Sequence, residues 1–165
     1  MKKVHGSNGT KYIECINPSK NKYRVRWDFS THVDENGNEN GVKYYEHELL
    51  YKPSLEQIKE LVLNGYNKII DQKILNGFIW NNMQIWLSQE NQFNYKAAYD
   101  LAVQTGGQNL PIMFKFGSTE NPIYYTFVDM ETFTDFYIKA MTYINTQLNE
   151  GWKLKDNIDW SVYNN

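Results

Sequence analysis

The side chains best equipped for chemistry are three histidines, His5, His32 and His47, and a single cysteine, Cys15. Two histidines one helical turn apart would suit a metal ion, and a cysteine with a histidine partner would suit nucleophilic attack. Neither arrangement is written here, because each histidine stands isolated in the sequence. Cys15 lies between Glu14 and Ile16 in a β-like run, with no adjacent base to activate it, and reads as a buried structural thiol. Asp71, Asp100, Asp129 and Asp135 could supply paired carboxylates for acid–base work or glycoside hydrolysis, but no spacing singles out a pair. Asp129 reads better as a helix cap. Gly106-Gly107 follows a helical pattern, whereas a phosphate-cradling loop precedes one. The expectation is therefore a protein that is not an enzyme, with no catalytic, cofactor-binding or metal-binding residues.

Composition narrows the remaining classes. A chain of 165 residues suits one compact body with a small appendage. A formal net charge of −2 argues against electrostatically driven nucleic-acid binding. No run is apolar and long enough to predict a membrane span, and the opening residues lack the apolar stretch of a secretory signal. One cysteine excludes an intrachain disulfide. Synthesis in a cytosol fits all of this.

The elements that would position these residues are legible in the pattern. Residues 11–16, 22–29 and 43–50 read as β runs. Within the second, Tyr23, Val25 and Trp27 alternate with Arg24, Arg26 and Asp28, as in a strand with one polar face. The turns between the runs are Asn- and Gly-rich. The prediction is a three-stranded antiparallel meander that needs cover on its apolar face. Ser54 followed by Gln57 forms a capping box for a helix that Gly77 stops, and Gly65 interrupts its pattern for either a close approach or a kink. Asn81-Asn82 predicts a tight hairpin turn between two short aromatic strands. Ser88 predicts the start of a helix reaching about residue 104. A second hairpin joins 112–116 to 124–127 through the loop 117–122. Asp129 opens a last long helix that Gly151 stops, and the tail forms one more helical turn or an extended strap. The class is α+β: a three-stranded antiparallel β meander, then an α-ββ-α-ββ-α arrangement. Residues 1–52 form a small β region that docks onto a neighbour, and residues 53–165 form the body.

Rings make up 16% of the chain, more than a small core needs. Tyr and Trp combine large area with a polar handle, so some are expected at a protein–protein surface. The candidates are Tyr23, Trp27, Tyr44, Tyr45, Tyr124 and Trp160. A thin sheet with open edges can also accept a strand from a partner.

The stretch from Leu55 to Trp160 resembles a small domain of unknown function found in bacteriophage and prophage genomes. That domain often forms the C-terminal part of tail-associated proteins, including tail-fibre assembly proteins. The residues that carry the resemblance run from Ile74-Leu75-Asn76-Gly77-Phe78 through Trp80-Asn81-Asn82-Met83-Gln84-Ile85-Trp86 to Glu90-Asn91-Gln92-Phe93-Asn94. They continue with Leu110-Pro111, Tyr124-Tyr125-Thr126-Phe127 and Gly151-Trp152-Lys153-Leu154-Lys155-Asp156. With its N-terminal β region, the chain looks like versions from phages of Bacteroides-type bacteria. The resemblance implies a phage virion structural protein at the tail, baseplate or fibre, made in the bacterial host cytoplasm. Its partners would be other phage structural subunits, in several symmetric copies, with no nucleic acid and no membrane. A tail-fibre assembly chaperone is the alternative, and a glycan- or peptidoglycan-acting hydrolase the second alternative. The family supplies no catalytic residues to transfer.

Overall fold

The computed structural model describes residues 2–118 and 120–164. The protein is α+β, with three α-helices and antiparallel sheets. Two compact units divide the chain: Met1–Lys68 with Lys155–Asn165, and Ile69–Leu154. The division expected after residue 52 thus falls instead inside two helices. The reason is physical: a sheet this thin cannot fold uncovered, so it recruits helical residues into its own unit.

In the first unit the strands are β1 (Val4–Gly6), β2 (Ile13–Asn17), β3 (Lys22–Val33) and β4 (Glu39–Leu49), in sheet order β1-β4-β3-β2. The predicted three-stranded meander is corrected: the sheet has four strands. β1 is three residues long and lacks an alternating pattern. Its pairing of Val4 with Tyr44 and Gly6 with Val42, not local propensity, makes it a strand. In β3, Val25 and Trp27 point to the buried face, at 0% and 2% exposure. Asp28 adopts a positive φ of 57°, and the register shifts there. This is a bulge that turns the rest of the strand. Arg26, expected on a solvated face, is buried at 4% exposure. Its guanidinium meets Glu14 at 2.9 Å and Glu46 at 3.2 Å, donates to the Lys11 carbonyl at 2.9 Å, and lies over the Tyr44 ring. Four partners are what allow a charge to sit there.

Helix α1 (Leu55–Gly77) starts as its capping box dictates. The Ser54 N–H donates to Gln57 Oε1 at 2.9 Å, and the Gln57 N–H donates to Ser54 Oγ at 3.3 Å. α1 runs unbroken through Gly65. A Cβ there would lie 2.5–2.8 Å from the Trp27 indole, so glycine lets the helix settle onto the ring. The tail closes the same unit as a 3-10 turn, Trp160–Tyr163. The Tyr163 hydroxyl donates to the Arg26 carbonyl at 2.8 Å, and its ring packs edge-on against Tyr12.

The second unit holds the hairpin β5 (Phe78–Trp80) with β6 (Met83–Ile85), helix α2 (Gln89–Gln104), the hairpin β7 (Ile112–Gly117) with β8 (Pro122–Phe127), and most of α3 (Met130–Asp156). Asn81 and Asn82 take φ of 48° and 60°, the left-handed pair that a two-residue hairpin turn requires. Ser88 and Asp129 cap α2 and α3 through backbone N–H groups three residues on. The predicted loop 117–122 includes Thr119, which lies outside the described residues. The core is built on Phe116, Phe127, Phe133 and Phe136, with Trp80 and Tyr95 meeting Phe136 edge-on.

Two expected helix stops behave differently. Gly77 ends α1 without a left-handed turn, and the Tyr143 hydroxyl occupies the space a Cβ would need. Gly151 does not stop α3, which continues to Asp156. Gly151 is buried, and Ile70 fills the place of its missing side chain.

Candidate protein-docking surfaces

The chemistry-bearing residues are dispersed among separate structural tasks. Asp100 pairs with Lys96, and Asp129 caps α3. Asp135 accepts the Trp80 indole N–H and holds Lys139. Asp71 borders a shallow groove with Ser88 and Gln92. Among the described residues there is no group of three or more histidine, cysteine or acidic side chains placed to hold a metal ion.

Two sequence expectations need correction. Cys15 is exposed, not buried, and lines an open groove with Lys11 and Lys52. It sits on the edge strand β2, where, among the described residues, one side of the backbone has no strand to cover it. His5 and His32 are not isolated: their rings meet edge-on, with centroids 4.3 Å apart. His5 Nε2 lies 2.6 Å from the Asn40 carbonyl. His32 Nδ1 is buried without a hydrogen-bond partner. Burial, then the nearby Lys43 and His5, hold the His32 pKa below the usual imidazole value. The pairing of β1 with β4 brings these rings together, and no local signal announces it.

The six candidate interface rings separate into distinct classes. Trp27 and Tyr44 are core residues, at 2% and 6% exposure, which corrects their assignment to a surface. Trp27 is held under α1 at Gly65, and Tyr44 lies beneath Arg26. Tyr23 and Tyr45 are half-buried. Tyr23 faces Cys15 across β2 and β3, and Tyr45 lies along the Trp27 ring. Trp160 is half-buried beneath the Lys59 ammonium. Tyr124 alone of the six is fully exposed, at 61%.

Around Tyr124 the β7–β8 ribbon presents a small apolar surface. Tyr124 pairs with Lys115 and Thr126 with Met113, so all four lie on the face opposite the phenylalanines. Met113 is also 61% exposed, and Val128 is exposed just past β8, while Ile123 pairs with Phe116 and belongs to the other face. Phe93 on α2 and Trp86 after β6 are further exposed rings in the same unit. The six rings singled out from the sequence include neither.

A second surface lies in the first unit. A cleft of about 370 Å³ has Trp27 at its floor, β4 residues His47 and Leu49 on one wall, and Glu60, Leu61, Asn64 and Lys68 of α1 on the other. The Trp27 indole N–H is buried with no hydrogen-bond partner. β1 covers β4 only from Val42 to Tyr44. Beyond it, among the described residues, β4 has a strand partner on its β3 side alone.

No described helix is long and apolar enough to cross a membrane. Compared with known proteins, the chain matches no family model, no curated protein and no solved structure.

Proposed function

We propose that the protein is a bacteriophage virion component, associated with the tail, baseplate or fibre, that works by binding other structural subunits. The exposed Met113 and Tyr124 on one face of the β7–β8 ribbon, with exposed Val128 just past the end of β8, are the observation that carries this reading. Apolar and aromatic side chains grouped on one face gain free energy when another surface covers them. Tyr supplies area at low entropic cost, which suits it to the centre of an interface. The resemblance of residues 55–160 to a phage tail-associated domain supplies the setting, and symmetric multiplicity follows from how such particles are built. The N-terminal sheet and its cleft act as the docking region.

A mass-spectrometric inventory of purified virions tests the proposal. The chain is expected among the structural subunits in several copies per particle; its absence refutes the reading. The uncovered edge of β4 favours a second reading, an assembly factor that holds an unfolded fibre segment. In that case the chain co-purifies with a co-expressed fibre and is missing from finished particles.

A further inference from the structure

We propose that the cleft between β4 and α1 receives an extended segment of a partner protein, added as a strand to the uncovered edge of β4. The inference rests on the reading of this protein as a binding component and names the form of its partner.

The backbone supplies the first argument. β1 stops pairing at Tyr44, and the remainder of β4, Tyr45–Leu49 among the described residues, keeps one row of amides and carbonyls without a strand. Such a row is a template for another chain. The cleft opens beside that row, because its sheet wall comes from His47 and Leu49 of β4 with Trp27 beneath. A strand laid there would have β4 on one side and α1 on the other.

The helix wall supplies the second argument, which is charge. Glu60 and Lys68 both face the cleft, and neither has an ion-pair partner among the described residues. They are eight residues apart, about 12 Å along a helix. A strand covers that distance in about four residues, and residues four apart point to the same face. α1 runs counter to β4, since it begins at Leu55, a short connection after β4 ends at Leu49, while Gly65 lies by Trp27, the partner of Tyr45. A strand antiparallel to β4, the geometry β1 already uses, therefore runs in the direction of α1. It meets Glu60 first and Lys68 second. The matching segment carries Lys or Arg, then Asp or Glu four positions later, within an alternating β-prone run.

The test uses the full chain and two fluorescent ten-residue peptides of alternating Thr and Val. One carries Lys and then Glu four residues later on the same face; the other has the two charges exchanged. Fluorescence anisotropy at low salt is expected to favour the first peptide by at least about fivefold, the equivalent of two rim ion pairs. The variant E60K/K68E alters exposed helix positions only, and it is expected to reverse the preference. A first peptide N-methylated at alternate backbone amides is expected to lose binding to both proteins. Equal affinity for the two peptides, or a preference that E60K/K68E leaves unchanged, overturns the proposal. Self-association of the wild-type chain that E60K/K68E abolishes also overturns it, because the occupant is then a second copy. Peptide discrimination by a chain absent from virions would keep this inference and sink only the virion reading.

Discussion

The indole N–H of Trp80 donates to Asp135 Oδ2 at 2.9 Å, tying β5 to α3 across 55 residues of sequence. Trp27 is equally buried, yet its N–H has no partner. The two rings should therefore respond differently to the same change. Trp80→Phe removes a bond to a charged acceptor, and Trp27→Phe removes an unsatisfied donor. Both variants lose ring volume. Chemical denaturation is expected to find Trp80→Phe more damaging than Trp27→Phe by about 1.5–3 kcal/mol.

The same carboxylate sets an acid limit. Hydrogen bonds from Lys139 and then Trp80 hold the Asp135 pKa below the ordinary aspartate value. A depressed carboxylate pKa stabilises the fold above the unfolded value, about 3.9, and that contribution is lost as pH falls through the folded value. Wild type and Asp135→Asn should differ by a constant amount at neutral pH and converge in acid below about pH 4. Thermal denaturation across a pH series reads this directly, and parallel curves at all pH values would contradict it.

His32 works at higher pH and in the same direction. Its folded pKa lies below the ordinary imidazole value of 6.5, so the unfolded chain takes up the proton first. Stability is complete above that value and declines as pH falls from about 6.5 toward the folded pKa. The loss should appear at β1, where His5 meets the ring. Protection of the β1 amides, corrected for the intrinsic pH dependence of hydrogen exchange, is expected to fall on acidification in the wild type, and to do so less in His32→Gln.

Gly65→Ala sets helix propensity against sterics. Alanine is worth about 1 kcal/mol more than glycine inside a helix. Its Cβ, however, would lie 2.5–2.8 Å from an indole that is itself fully enclosed. Overpacking of this kind costs about 1–3 kcal/mol, so the net effect expected by urea titration is a loss. Asn64→Ala next to it, on an exposed position, should instead gain about 0.3 kcal/mol.

What could be read beforehand was local. Ser54 with Gln57, Asn81-Asn82, Ser88 and Asp129 each satisfy backbone groups within four residues, so a short window contains their whole reason. What escaped was set by partners far away in the chain. β1 exists because β4 pairs with it, and that pairing alone brings His5 to His32. Gly151 is glycine because Ile70 presses on it, not because a helix must break, and at Gly65 the Trp27 ring decides for a close approach where the sequence left a kink equally open. Trp27 and Tyr44 were counted as interface rings because alternation shows which residues share a face but not which face a helix or an arginine will cover.

The unit that begins at the N-terminus is completed only by Lys155–Asn165, whose Tyr163 hydroxyl seals the carbonyl of Arg26. During translation the uninterrupted stretch Ile69–Leu154 leaves the ribosome whole, while the earlier sheet still waits for its closing strap. The sheet made before that stretch is therefore completed after it, so the two units close in the reverse of their order along the chain.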